Sequence, residues 1–597
     1  MTSTTATETL NAWIKAFDTA LGARDFEAAT SLFAPEGIWR DLVILTWNIK
    51  TFEGPSSILE MLKNVVPNTD VRNWALEGEA TETDGLAEGW VTFETEVARG
   101  RGHIRIKEGK CYTLLTTMQE LKGHEEKKGR RRENGAVHGV VPGRKTWLEQ
   151  KTEREARLGY EEQPYCLIVG GGQGGIGLGA RLRRLGVPTI IIESNPRAGD
   201  SWRKRYRSLC LHDPVWYDHL PYLPFPDDWP IYTPKDKMGD WLESYVKIME
   251  LNYWTSSVCT SASFDGARGE WTVNVERDGK PVTVKPKQLI LATGMAGVPN
   301  MPEFDGADRF QGTLVHSSQH QSGKGYEGKK CVIVGSNNSA HDIAAELWEN
   351  GADVTMLQRS STHVSKSDTL RELGTSHLYS EDALERGIDT EKADMIAASV
   401  PYRLMSEFQK PIYVEMKKRD KDFYDKLRNA GFMLDFGDDE SGLFMKYMRR
   451  GSGYYIDVGA SELIINGDIK LKKGQITSVT EHGVRLENDE EIPAELVVCA
   501  TGYGSMNGWA EQLISKEVAD KVGKVWGLGS DTTYDPGPWE GEPRNMWKPT
   551  QQENLWFHGG NLHQSRHNSK YLSLQLKARM EGIPTPVYAL QDVYHKR

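Results

Sequence analysis

The chain is poor in cysteine: six in 597 residues, at positions 111, 166, 210, 259, 331 and 499, with no Cys-x-x-Cys pair and no His/Cys ligand spacing. That scatter argues against a disulfide scaffold, a structural zinc site and dithiol redox chemistry, and no metal is expected. Long apolar runs are missing too. Nothing approaches the roughly 18 residues of a membrane span, and the opening stretch MTSTTATETL lacks a charged start followed by an apolar segment, so a cytoplasmic, membrane-free protein is expected. Positive charge is in deficit. Lys and Arg number 73 against 84 Asp and Glu, a net charge of −11, which argues against a general nucleic-acid or anionic-membrane binder. The one basic run, KKGRRR at 127–132, sits among Gly, Glu and Asn and reads as a solvated loop.

What is present is apolar and aromatic material for several cores: 38% hydrophobic residues with 18 Trp, 22 Tyr and 15 Phe. A single core seldom grows past about 250–300 residues, so several domains are expected. Leu10, Trp13, Ile14, Phe17 and Leu21 recur at helical spacing, and a second helix is expected over 26–33. Then the period changes. Residues 90–98 alternate, and 103–121 read as a hairpin turning at Glu108-Gly109-Lys110. Helices followed by strands indicate an α+β domain over 1–122. Residues 123–160 are charged and Gly-rich, with a helical stretch at 147–158, and form a linker. Beyond it apolar strands alternate with helices in α/β fashion. Residues 368–448 read as a helical insertion, and strand signals return at 461–465 and 495–499.

Two stretches share one opening. CLIVGGGQGG at 166–175 is a buried strand breaking into Gly170-x-Gly172-x-x-Gly175, with Gln173 opening a helix. Gly170 permits the tight turn, Gly172 a close backbone approach to pyrophosphate, and Gly175 close helix–strand packing. The helix N-terminus offers unpaired N–H groups and partial positive charge to phosphate. The next strand, TIIIE, ends at Glu193, placed to hydrogen-bond an adenosine ribose. The second copy, CVIVGSNNSA at 331–340, is degraded: Gly335-x-Asn337-x-x-Ala340, with Ser339 in its turn. Asn tolerates a left-handed backbone better than most residues, so the turn geometry is expected to survive. Its following strand ends in Gln358-Arg359-Ser360 in place of an acid. A planar Arg fork there suits a 2′-phosphate, the plain alternative being a surface Arg at a strand end. The two turns are therefore expected to take two different dinucleotides, FAD at the first and NADPH at the second.

With these motifs in hand, residues 160–597 resemble the class B flavoprotein monooxygenases, the flavin-containing monooxygenases and their Baeyer–Villiger relatives. The resemblance is carried by FQGTLVHSSQH at 310–320, GDSW at 199–202, LILATG at 289–294, LVVCATGY at 496–503 and the tail ENLWFHGGNLHQSRHNSKYL. The family's fingerprint ends in Phe or Tyr in heteroatom oxygenases and in Trp in Baeyer–Villiger enzymes; here it ends in His320. Residues 1–122 are similar to a nuclear-transport-factor-two-like cone, the addition that marks type II members. The implied fold class is an α+β cone-like domain followed by an α/β, Rossmann-like flavoprotein with two dinucleotide-binding domains. FAD would be held by 161–325 and 486–597, and NADP by 326–485.

The resemblance implies NADPH-driven reduction of FAD, addition of O2 at flavin carbon 4a as a (hydro)peroxide, and transfer of one oxygen atom to a small sulfide, amine, indole or ketone. It also implies a homodimer. It places Trp202, Thr293, Thr501, Gly502, Asn561 and Gln564 beside the cofactors, with the helix containing Gln564 aimed at the flavin pyrimidine. It places His212 beside the flavin, where relatives carry Asn or Asp. A His there could switch charge near neutral pH, with Asp213 orienting it. His316 completes the candidate catalytic set, expected at the domain junction rather than at the reacting atom. Arg449 and Arg450 fall in the region of the Baeyer–Villiger arginine, with surface positions the plainer reading. The N-terminal domain could bind ligand, but a supporting or shielding role is the favoured expectation. A flavin disulfide reductase lacks its cysteine pair here, Cys210 standing alone. An NADPH oxidase or dehydrogenase, or a non-enzymatic redox or ligand sensor, stays open.

Overall fold

A computed structural model describes residues 5–594 apart from 137 and 296. The chain opens with a helix, Ala6–Gly22, started by a Thr5/Glu8 capping box. Leu10, Trp13, Ile14, Phe17 and Leu21 form its buried stripe, as the periodicity requires. That stripe covers a six-stranded sheet made of Phe33–Leu42 (β1), Ile49–Glu53 (β2), Arg72–Thr83 (β3), Leu86–Glu94 (β4), Ala98–Lys107 (β5) and Lys110–Leu121 (β6). The order is β2-β1-β6-β5-β4-β3. The β5–β6 hairpin turns at Glu108 and Gly109 as expected. The second helix stops at Ser31, and Phe33, expected to be helical, instead begins β1, where its ring stacks on Trp39 at 5.7 Å. Burying rings of this size contributes about 1.5–3 kcal/mol each.

The next strands are Cys166–Val169 (β7), Thr189–Ile192 (β8) and Tyr253–Trp254 (β9), then an antiparallel meander of Ser257–Asp265 (β10), Glu270–Arg277 (β11) and Lys280–Val284 (β12), then Gln288–Leu291 (β13). Further along come Thr313–His316 (β14), Lys330–Val334 (β15), Asp353–Gln358 (β16), His363–Lys366 (β17), Tyr454–Asp457 (β18) and Lys470–Lys473 (β19). A second meander follows, Ile476–Thr480 (β20), Gly483–Leu486 (β21) and Glu491–Pro493 (β22), then Leu496–Cys499 (β23) and Leu555–Phe557 (β24).

Two all-parallel sheets result, β24-β13-β7-β8-β9 and β14-β23-β15-β16-β19. They share one plan. The strand ahead of each glycine turn (β7, β15) is central, flanked on one side by the strand that follows its helix and on the other by the strand that runs into an Ala-Thr-Gly loop. Both meanders lie outside the helical α/β alternation and were not anticipated. Between 367 and 450 the described elements are helices, as the sequence suggested. One expected strand is wrong: 461–465 belongs to a helix, Ala460–Asn466, whose buried residues Ala460, Ser461 and Ile464 follow helical spacing. A short apolar run does not reveal its own period.

The six-stranded sheet is tied into the rest of the molecule by buried charge. Arg40 on β1 donates to both carboxylate oxygens of Glu542, at 2.6 and 2.9 Å, and to the Ala398 carbonyl at 2.8 Å. The two side chains are 7% and 1% exposed. Thr51 adds a bond to Glu542, and Arg105 bonds both the carbonyl and the hydroxyl of Ser399. Asn48 donates to the carbonyls of Tyr588 and Ala589 near the end of the chain. Removing one partner of such a pair strands a charge away from water. Glu542→Ala should therefore destabilise the protein by about 3–5 kcal/mol, whereas the double change Arg40→Met, Glu542→Leu should cost clearly less; denaturant unfolding of the two variants checks the difference.

Candidate functional site

The two turns are built alike at atomic level. Gly170 has φ +110°, and a Cβ there would lie 2.3 Å from the Ala292 carbonyl oxygen. Gly335 has φ +124°, and its Cβ would lie 2.5 Å from the Ala500 carbonyl oxygen. Ala292 and Ala500 belong to the two Ala-Thr-Gly loops, so each turn is pressed against its own loop and only glycine fits. At Gly175 a Cβ would meet the Gly170 carbonyl at 2.0 Å, the close helix–strand contact the motif requires. Above Gly172 the space is open, with the nearest atom 4.0 Å away, the Ser201 hydroxyl.

Gly172 and Asn337 are the N-cap residues of helices Gln173–Arg184 and Asn338–Glu349, and neither end has a side-chain cap. Their backbones match, at φ −74°, ψ −171° and φ −97°, ψ −171°. The expectation that Asn337 survives by tolerating a left-handed backbone is thus corrected. Its φ is ordinary, so any residue small enough for the approach could stand there. Ala340, in the place of the third glycine, is fully buried against the sheet.

Glu193 follows β8 and is 7% exposed. One carboxylate oxygen accepts from the Ser194 hydroxyl and from the backbone and side chain of Asn195; the other accepts only the Gly171 N–H, at 2.9 Å. That leaves acceptor capacity beside the turn, suited to a ribose hydroxyl. Trp202 donates to the Gln173 side chain at 3.2 Å. The Thr293 hydroxyl is buried with no hydrogen-bond partner, and the buried His558 ring packs on Gly174. Uncapped helix ends, open space above Gly172 and an orphaned hydroxyl fit a dinucleotide. At the second turn Arg359 and Ser360 are exposed just after β16, and Arg359 makes no ion pair among the described residues.

Between the turns lies a cleft of about 410 Å³. Gln173 and Trp202 border it from the first turn, Asn337 to Ala340 from the second, and Gly502, Tyr503, Asn561 and Leu562 from the later chain. His212 and Asp213 also line it. His212 Nε2 lies 3.3 Å from Asp342 Oδ2, which also accepts the Tyr206 hydroxyl at 2.5 Å. The partner expected for this imidazole was Asp213; the structure gives Asp342, on the second-turn helix. Sequence reading missed Asp342 and Tyr206 because the contact spans the two halves, although an Asp just inside the second-turn helix was a visible signal. Burial opposes protonation of His212, but the hydrogen bond and charge of Asp342, with Asp213 and Asp457, outweigh it and raise its pKa. Burial raises Asp213 despite His212 and His563, and raises the fully buried Asp218 strongly.

His316 is buried and does not line the cleft. The Ser318 N–H donates to its Nδ1 at 3.2 Å, and its Nε2 donates to the Gly502 carbonyl at 3.0 Å. Burial lowers its pKa, so a neutral ring pins β14 to the second Ala-Thr-Gly loop. His316 thus lies at the junction between β14 and the second Ala-Thr-Gly loop, with both ring nitrogens engaged by protein. Thr501 donates to the Asn300 carbonyl at 2.6 Å, tying the same loop to the segment after β13.

At the closing helix, Leu562–Met580, Asn561 caps the Gln564 N–H at 2.9 Å and donates to Tyr217. Gln564 accepts from Tyr447 at 2.6 Å and donates to Met448 sulfur. Gln564 is held by protein and does not line the cleft, whereas Asn561 borders it at the N-terminal end of the helix. Arg449 pairs with Asp439, and Arg450 bonds the Ser452 carbonyl and lies over Tyr534, so neither reaches the cleft. His320 sits on Glu346 at 3.2 Å in the second half's core. Among the described residues no group of three or more His, Cys, Asp or Glu could hold a metal, and no helix is long and apolar enough to cross a membrane.

A family model described as pyridine nucleotide-disulphide oxidoreductase matches residues 167–421. Indole-3-pyruvate monooxygenase YUCCA4 of Oryza sativa subsp. japonica is 30% identical over 394 residues, covering 63% of this chain and 82% of the relative. YUCCA1 of the same organism is 29% identical over 364 residues, covering 60% and 82%. The crystal structure of OTEMO in complex with FAD and NADP (form 3) superposes with a TM-score of 0.50 at 17% identity, covering 71% of this chain and 86% of that one, a likeness of fold. The chain belongs to the flavin-dependent monooxygenase family and is an oxidoreductase. The disulphide chemistry in the family model's description has no residues to carry it, since all six cysteines are free and Cys210 alone is exposed.

The raised pKa of His212 has a definite sign. Its favourable charge is fully present below the ordinary imidazole value of about 6.5 and is lost as pH rises through the higher folded value. The stability gap between the wild type and His212→Asn should be widest in acid and narrow as pH rises past that value; melting temperatures of both across that range check it.

Proposed function

We propose that this chain is an FAD- and NADPH-dependent monooxygenase that inserts one atom of O2 into a small organic substrate. The observation that carries the proposal is the matched pair of turns, each pressed on an Ala-Thr-Gly loop and each opening an uncapped helix onto one cleft. FAD would lie on Gly170, Gly172, Gly175 and Glu193, and NADPH on Gly335, Asn337 and Ser339, with Arg359 toward a 2′-phosphate. When bound, the flavin would supply hydride acceptance and oxygen activation, which protein side chains alone cannot.

The chain's own residues then orient groups and hold protons. Asp342 fixes the His212 ring from across the cleft, so the imidazole's position reports whether the two halves are closed. His212, Asp213 and Asp218 all line the cleft, and the surroundings of each favour its protonated form. Tyr454 and Met295 add apolar lining to the cleft. The six-stranded sheet with its covering helices is read as a nuclear-transport-factor-two-like domain, and the assembly as a homodimer. Sulfur or nitrogen oxygenation is favoured over Baeyer–Villiger insertion, because Arg449 and Arg450 are tied elsewhere. Arg205 borders the cleft, and it is the guanidinium to test if a lactone forms.

Two experiments test this reading. Gly170→Ala should yield protein without bound flavin, whereas Gly335→Ala should keep its yellow colour and lose about tenfold or more in NADPH affinity, read by flavin absorbance and by coenzyme titration. In a product screen with NADPH, a thioether should give sulfoxide and a cyclic ketone little lactone. A protein that consumes NADPH to give only hydrogen peroxide, under both substrates, would identify an oxidase instead.

A further inference from the structure

A second cavity, of about 440 Å³, lies where the six-stranded sheet, the first-turn helix and the closing helix meet, and it shares no lining residue with the cleft. Leu220, Met395, Tyr571 and Leu574 give it an apolar and aromatic floor. Its acids and bases are equal in supply but not in engagement. Glu126 accepts the Tyr222 hydroxyl, Glu391 pairs with Lys570 at 2.8 Å, and Asp394 holds Arg566 through two bonds of 2.8 and 2.7 Å. Glu120 pairs with Arg99 and Arg131, and Asp389 caps the helix Thr390–Ala398.

Three cations facing the same space have no carboxylate within ion-pair distance among the described residues: Arg181, Arg184 and Lys128. The guanidinium carbons of Arg181 and Arg184 lie 4.7 and 4.0 Å from the Tyr222 ring centre. The Nε of Arg181 is buried without a hydrogen-bond partner. Arg181 is half-buried, and Tyr222, Glu126 and Glu391 favour its charge without either carboxylate pairing with it at contact distance, so its Nε remains an open donor toward the cavity.

We propose that this cavity binds a small organic carboxylate with a planar aromatic body. The carboxylate meets the paired guanidiniums of Arg181 and Arg184, whose planar forks suit two-point contact, with Lys128 at the exposed rim. The ring rests on the floor beside Tyr571 and Met395. The occupant sits one wall behind the cleft: Arg566 donates to the carbonyls of Tyr217 and His219, at 2.7 and 2.6 Å, and Asp218 between them faces the cleft. The N-terminal sheet contributes Gln119 and Glu120 to the lining, which makes it part of a ligand site.

Isothermal titration of the full-length, flavin-loaded protein with benzoate and, separately, benzylamine tests the proposal. Benzoate should bind at one site and benzylamine should not. Arg184→Glu and Arg181→Gln should each weaken benzoate at least about tenfold. His212→Asn, in the cleft, should leave benzoate affinity unchanged. Equal binding of the two probes, no binding of benzoate, or a benzoate affinity that follows His212 rather than Arg184 would overturn the assignment. Arg184 makes no ion pair or hydrogen bond with another side chain among the described residues, so its variant keeps the test valid if Arg181→Gln fails to fold.

Discussion

The architecture depends on two backbone contacts that tolerate no side chain. Gly170 rests on the Ala292 carbonyl and Gly335 on the Ala500 carbonyl, and in both cases a single added carbon would fall inside van der Waals contact. Because each contact joins a turn to a loop from a different part of the chain, it fixes where the following helix begins relative to the end of its sheet. The uncapped helix ends, the open volume above them and the cleft between the halves all follow from that placement. Degrading the second motif to Asn337 and Ala340 leaves this contact intact, which is why the two sheets keep one plan.

Much of this was legible from local pattern. Strand, turn and helix of both motifs, Glu193 at the end of its strand and the opening amphipathic helix were all readable, because each is a short-range signal of period or turn chemistry. What escaped was of three kinds. The helix Ala460–Asn466 was read as a strand because five apolar-rich residues are too few to show a period. The meanders at 257–284 and 476–493 were missed inside an α/β frame that has no place for them. The partner of His212 was missed because proximity in sequence favoured Asp213, whereas the fold brings Asp342 from the other half.

Three of the expected site residues share a theme. Asn561 and Gln564 were expected beside the cofactor and His316 at the domain junction, and each makes hydrogen bonds to protein that hold a cleft-bordering loop or helix end in place. Functional motifs in such folds mark positions where backbone must be held as well as positions where side chains must reach. Sequence pattern alone does not separate the two.

The buried Arg40–Glu542 junction has a practical corollary for anyone cutting the chain into pieces. A fragment beginning in the linker would retain Glu542 and the Ser399 and Ala398 carbonyls in a pit shaped for guanidinium groups it no longer possesses. Such a fragment would have to drown that pit in solvent or collapse around it. The N-terminal sheet therefore behaves less as a detachable appendage than as the plug that completes the larger body's interior.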